Sequence, residues 1–211
     1  MAQELKLDKT KTALLVIDMQ NDLVRDGAGP FAFLTAQVKE GGVIDNISKV
    51  LKAAREAKVP VFHIKTIHRK DGADVWTGRI TDFLLQLPPA ALEEMAKRLV
   101  EGTPGAEFVS ELAPQEGEYV VSKRRGDAFF GTDLEILLRR RGVDSLLITG
   151  VVTSMCVLAT IQSAVDRDFN VIILKDCCAD MDSQVHNFVV TSIFPRRGRV
   201  RTADEVIAAL A

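Results

Sequence analysis

The sequence is short of the residues on which several functional classes depend. It holds only three cysteines, Cys156, Cys177 and Cys178. An odd number with one adjacent pair is not a disulfide framework, so a reducing, cytoplasmic setting is expected, where a free thiol survives to do chemistry. An excess of one charge is missing as well. Lys and Arg number 27 against 29 Asp and Glu, a net charge of -2, which gives no reason to expect nucleic acid or an anionic membrane as partner. No apolar run approaches the length of a membrane span. The opening "MAQELKLDKTKTALLVIDMQ" is charged before a short apolar stretch and has no small-residue cleavage site, so neither a span nor a signal peptide is expected. The glycine-rich stretch "DGAGPFAFL" (26–34) lacks Gly-x-Gly-x-x-Gly spacing, which excludes a dinucleotide site there and leaves a lid or subunit contact. There is no internal repeat and no low-complexity linker. The one basic run, "PRRGRVR" (195–201), reads as a solvated face or subunit contact.

What the sequence does hold is an alternation of patterns within 211 residues, a length that suits one domain with a sizeable core. "TALLVID" (12–18), "PVFHIKT" (60–66), "EYVVSK" (118–123), "DSLLITG" (144–150) and "NVIILKD" (170–176) are apolar, β-branched runs, as expected of strands buried on both faces. A short sixth strand is expected near Val200. Between them lie helical patterns at 41–59, 131–142, 153–169, 183–194 and 202–211, with a less regular region from Ile67 to Glu118. In the helix at 131–142, Thr132 is a candidate N-cap, with Glu135 completing a capping box. Strands alternating with helices imply an α/β domain, residues 1–211: a doubly wound, mostly parallel six-stranded sheet covered on both faces. Ligands bind such sheets beyond the C-terminal ends of the strands.

Three residues stand at such ends. Asp18 closes the first strand, Lys123 closes the third, and Cys156 follows the fourth at the opening turn of a helix. Their chemistry is complementary. A carboxylate can take a thiol proton, an ammonium lowers a thiol's pKa, and a helix N-terminus favours a thiolate. That is the logic of covalent catalysis, and it leads to the expectation of a thiol ionised below the ordinary value of about 8.5. Each residue alone also has a plain reading, as a packed cysteine, a turn aspartate or a solvated lysine.

Taken together, "ALLVIDMQNDL" (13–23), "KRRGDAFFGTDLEILLRRRGVD" (123–144) and "ITGVVTSMCVLAT" (148–160) resemble the isochorismatase-like cysteine hydrolases. The resemblance runs from about Thr12 to the C-terminal helix. It implies a catalytic Asp–Lys–Cys triad on Asp18, Lys123 and Cys156, a cis peptide between Val151 and Val152, and an oxyanion hole made by the N–H groups of Val152 and Cys156. It also implies hydrolysis of a C–N bond in a small amide or ureide through a thioester, and assembly as a dimer or tetramer. Relatives of the nicotinamidase branch bind a metal through an Asp-x-His pair after the second strand. Here Thr66 stands where that aspartate would be, His68 remains, and the chain has only His63 and His186 besides. No metal or other cofactor is therefore expected. A nicotinamidase-type carboxamide hydrolase and a non-catalytic binding protein are the competing readings, with a redox protein using Cys177 and Cys178 a third.

Candidate substrate contacts follow from the same blocks. Arg125 is a fork that suits a carboxylate, or a solvated arginine. Asp127 stands where relatives usually have serine, and either binds an N–H-rich substrate or pairs with Arg124 or Arg125. Phe129 and Phe130 are pocket walls or core. Trp76, the only tryptophan, sits where relatives place an aromatic wall, and reads equally as a packing residue. Gln20 touches substrate or, with Asn21, braces the loop of Asp18.

Overall fold

The structure, a computed structural model, describes residues 5–25, 31–75 and 82–211. Trp76 and residues 26–30 of the glycine-rich stretch lie outside the described residues. Strands β1 (Thr12–Ile17), β2 (Val61–Thr66), β3 (Tyr119–Lys123), β4 (Ser145–Val151), β5 (Asn170–Ala179) and β6 (Arg199–Arg201) form one sheet in the order β3-β2-β1-β4-β5-β6. All five pairings are parallel. The helices are α1 (Asn21–Val24), α2 (Ala32–Glu40), α3 (Val43–Glu56), α4 (Asp82–Leu85), α5 (Pro89–Ala96), α6 (Leu134–Arg140), α7 (Leu158–Val165), α8 (Ser183–Phe188) and α9 (Ala203–Leu210). None among the described residues is long and apolar enough to cross a membrane.

The continuous apolar runs form strands because both faces of the sheet are covered. In β1 the side chains alternate: Leu14 and Val16 enter one core with Ile47 and Leu51 of α3 and Val206 of α9. Ala13, Leu15 and Ile17 enter the other, with Leu134 and Leu138 of α6 and Ile161 of α7. The adjacent cysteines of β5 divide the same way, Cys177 to the first core and Cys178 to the second; neither is in a disulfide.

The chain turns out from β1 in opposite directions, to β2 on one side and β4 on the other, so the crevice between β1 and β4 is the switch point of a doubly wound sheet. One glycine makes that crevice possible. Gly150 has φ 115°, and a Cβ there would lie 2.0 Å from the carbonyl oxygen of Ile17. No other residue fits so close a backbone approach.

The expected capping box on α6 does not form. Asp133, not Thr132, is the N-cap residue, with no side-chain cap. Thr132 instead donates to Ala128 O (2.6 Å) and accepts from Leu134 N, while Glu135 pairs with Arg167 at 2.9 Å. The reciprocal box occurs on α9, between Thr202 and Glu205.

Candidate active site

Four adjacent strands deliver one residue each to the C-terminal rim: Lys123 from β3, Thr66 from β2, Asp18 just past β1, and Cys156 from the turn after β4. Neighbouring strands lie about 4.8 Å apart. A side chain from β3 must therefore cross β2 to reach β1, which a lysine's four-carbon stem can do. Lys123 is fully buried and its Nζ lies 2.8 Å from Asp18 Oδ2. It donates also to Thr66 Oγ1 (2.7 Å) and to the carbonyl of Arg125 (3.1 Å). Two of the ammonium's three donors go to these two oxygens, and the third is left towards the Asp18 carboxylate and the Cys156 thiol.

Asp18 is buried too and takes a left-handed backbone conformation, φ 55°, which aspartate tolerates better than most side chains. Its Oδ1 accepts from the backbone N–H of Thr66 (2.9 Å) and from the Thr66 hydroxyl (3.0 Å). Oδ2 carries the Lys123 ion pair but no well-aligned hydrogen bond, so a lone pair is left for another proton.

Cys156 is half-buried. It lies in the π-type turn Thr153–Val157 that leads into α7, the sort of irregular turn often found at functional sites. The peptide between Val151 and Val152 is cis. The turn is held from outside: Ser154 N–H donates to the buried carboxylate of Asp180 (2.7 Å) and Thr153 Oγ1 bonds His186 Nδ1 (2.9 Å). The thiol interacts with both the Asp18 carboxylate and the Lys123 ammonium. Burial pushes its pKa up; Lys123 pulls it down, Asp18 pushes it up, and it stands at about 12. That direction runs against the expectation of a thiol ionised below its ordinary value, because removal from water and the adjacent carboxylate outweigh the ammonium. Burial works against the charge of Lys123 as well, but Asp18 and Cys156 outweigh it and raise its pKa. The site thus sets the Asp18 carboxyl beside an amine and a thiol that both hold their protons more tightly than usual.

The candidate substrate contacts fare differently. Gln20 is fully buried. Both its amide donors are spent, on the carbonyls of Thr66 (2.8 Å) and Ala106 (2.7 Å), and its oxygen accepts from Thr66 N–H. It braces the Asp18 loop and has no donor left for substrate. Asp127 pairs with neither Arg124 nor Arg125. It accepts from Phe129 N–H (2.9 Å) and from Ser163 Oγ of α7 (2.6 Å), which ties the loop after β3 to the helix that follows Cys156. Ala128 N–H adds a second tie, to Thr160 Oγ1 (3.1 Å). The loop so pinned brings Gly126 beside the thiol: a Cβ built on it would stand 4.0 Å from Cys156 Sγ. Phe129 is core, packed against Phe169, while Phe130 is exposed. Arg125 is exposed and its guanidinium rests on the carbonyls of Asp74 and Arg124. Arg124 reaches the carbonyl of Ile67 and lies 3.4 Å from the Asp74 carboxylate.

His68 lies 3.6 Å from Asp74 Oδ2, and burial lowers its pKa despite that carboxylate. Among the described residues no three His, Cys, Asp or Glu side chains are grouped to hold a metal ion. Sequence reasoning missed Thr66 as a member of the site, and Asp180 and His186 as supports of the turn that carries Cys156. Thr66 carried one available signal, its place at the C-terminal end of an expected strand.

Residues 12–205 match the Isochorismatase domain. The chain is 30% identical over 213 residues to the uncharacterized isochorismatase family protein YwoC of Bacillus subtilis (strain 168), covering 98% of each chain. It is 30% identical over 204 residues to the maleamate amidohydrolase of Pseudomonas putida, covering 95% of this chain and 87% of that one. Among solved structures, a cysteine hydrolase from Pseudomonas syringae pv. phaseolicola 1448A superposes with a TM-score of 0.80 at 30% identity, covering 98% of this chain and 95% of the other. A match to the domain over nearly the whole length, on this fold, makes the chain a member of the isochorismatase family of hydrolases.

Proposed function

We propose that the chain is a cysteine amidohydrolase that cleaves the C–N bond of a small amide or ureide through a thioester. The observation that carries this reading is the open lone pair on Asp18 Oδ2 beside a neutral thiol and a buried ammonium. A thiol that is neutral at rest needs a base at the moment of attack. Asp18 Oδ2 takes the Cys156 proton as the sulfur adds to the substrate carbonyl. The N–H groups of Val152 and Cys156 bind the developing oxyanion, and Lys123 keeps the carboxylate in place and balances its charge. Collapse breaks the C–N bond, and Asp18 returns the proton to the departing nitrogen, which leaves as ammonia or an amine. Asp18 then takes a proton from water as its oxygen attacks the thioester; the acid is released and the thiol regains its hydrogen. The name of the maleamate amidohydrolase relative supports amide hydrolysis as the reaction class. Arg125, exposed on the rim, is the residue assigned to a substrate carboxylate, reached by leaving its two carbonyl contacts.

The partner is thus a small molecule, with the chain acting as a dimer or tetramer in the cytoplasm, where its three free cysteines stay reduced. A screen for ammonia release across ureides, carbamoyl amino acids, maleamate-like amides and aromatic carboxamides tests the reading. Turnover of one class is expected, with none in Cys156→Ala. Undiminished turnover in that variant would falsify the proposal.

A further inference from the structure

The hydroxyl of Thr66 stands between the two charged members of the site, and the direction of its hydrogen bonds is forced. An ammonium has donors and no acceptor, so in the 2.7 Å contact with Lys123 Nζ the Thr66 oxygen accepts. Its own proton must then point elsewhere, and Asp18 Oδ1 receives it at 3.0 Å. The backbone N–H of Thr66 donates to the same oxygen at 2.9 Å. Oδ1 therefore takes two hydrogen bonds while Oδ2 takes none that is well aligned.

We propose that Thr66 is a positioning residue that orders the protons of the site: by spending Oδ1, it makes Oδ2 the oxygen that accepts the Cys156 proton. This rests on the amidohydrolase reading above. The titratable groups facing Asp18 are Lys123, reaching across from β3, and Cys156, from the turn after β4. Neither replaces the hydroxyl. Lys123 is on Oδ2, and the thiol is the proton source. Gln20 holds Thr66 rather than Asp18: its side chain bonds both the N–H and the carbonyl of Thr66, fixing the rotor's backbone.

A hydroxyl donating to a carboxylate stabilises the charged form. In Thr66→Val, a near-isosteric change that removes it, the 13C signal of the Asp18 carboxyl carbon at neutral pH should shift as Oδ1 loses one of its two donors. NMR on the full chain reads this without any substrate. In turnover kcat should fall about tenfold, with KM nearly unchanged. Thr66→Ser keeps the hydroxyl and should restore both. An Asp18 carboxyl signal unmoved in Thr66→Val overturns the assignment, as does a loss of kcat that serine does not restore. A merely packed threonine would leave the signal where it was. If the signal moves as expected but no amide or ureide is turned over by the wild-type chain, the reaction assignment fails and the proton ordering stands.

Discussion

Strands β2 and β3 carry a buried polar cluster at each end, and the two are built from the same kinds of group. At the C-terminal end Asp18, Thr66 and Lys123 meet. Towards the other end, Glu118 accepts from Arg55 Nε (2.7 Å) and Nη2 (2.9 Å), from His63 Nε2 (2.9 Å) and from the N–H of Gln115 (2.8 Å). Burial opposes the charge of Glu118, yet Arg55, Gln115 and His63 outweigh it and hold its pKa down at about 2. Such a carboxylate is saturated and too weakly basic to take a proton near neutral pH. It staples α3 to the start of β3. Asp18 has as cationic a neighbour but one oxygen left over. The difference shows what separates a structural ion cluster from a reactive one on the same pair of strands. Charge does not separate them; besides its deeper burial, the upper cluster differs in keeping an acceptor unspent beside a proton source.

The sharpest way to break the comparison is to neutralise one carboxylate at a time. Asp18→Asn should lower kcat by about 10^4-fold, and should also lower the melting temperature because it leaves the buried ammonium of Lys123 without its carboxylate. Glu118→Gln should cost stability alone, leaving kcat within about threefold in the folded protein. Steady-state kinetics with thermal unfolding on both variants decides it. A folded Glu118→Gln protein that has lost its turnover would mean that the lower cluster reaches the chemistry.

The second test is acid stability. Glu118 has a folded pKa of about 2 against an ordinary 4.5, so it contributes about 3 kcal/mol above pH ~4.5, lost as the pH falls towards ~2. His63 adds a step at higher pH. Burial lowers its pKa even though Glu118 favours the cation; the folded state thus holds the imidazole neutral, and stability begins to fall as the pH drops through the ordinary value of 6.5. With the proton on Nε2, facing Glu118, the unpartnered Nδ1 is an acceptor; a second proton would make it a buried donor with no partner. Urea unfolding from pH 7 to pH 3 should show both steps in the wild type and only the upper one in Glu118→Gln. A wild-type profile flat across that range would remove the staple.

Which of these clusters the sequence announces follows from where their residues sit. Asp18, Lys123 and Cys156 end apolar runs, so the rule that strand ends face one rim finds them from pattern alone, and the sheet's class follows from the same alternation. Strand order does not. Nothing in the local pattern of "VFHIKT" says that β2 lies between β1 and β3, and so nothing says that Thr66 bridges Asp18 and Lys123. His63 reads simply as a strand residue until Glu118 and Arg55, distant in sequence, are brought beside it. Asp127 is the opposite case. Its charge suggested an arginine partner, but the turn around it supplied a backbone N–H and α7 supplied a serine, and local geometry prevailed over sign. The failed cap at Thr132 is similar: its hydroxyl is turned to Ala128, one turn back.

The protonation state of Cys156 gives the finest contrast. Burial and Asp18 raise the thiol's pKa while Lys123 lowers it, so the carboxylate proposed as the base also works against ionisation of the sulfur at rest. Removing that charge should separate the two effects. In Asp18→Asn the ammonium of Lys123 has no carboxylate opposite and becomes the thiol's main charged neighbour, so the thiolate gains ground. Iodoacetamide at pH 7 should therefore label Cys156 about tenfold or more faster in this variant than in the wild type, although the variant has lost its turnover. Wild-type labelling should keep rising with pH beyond 8.5, and Cys177 and Cys178, both buried, should stay unlabelled in the folded protein. Peptide mass mapping against pH follows all three sulfurs at once. If Asp18→Asn labels more slowly than the wild type, the carboxylate ionises the thiol before substrate arrives, and attack begins from a preformed thiolate.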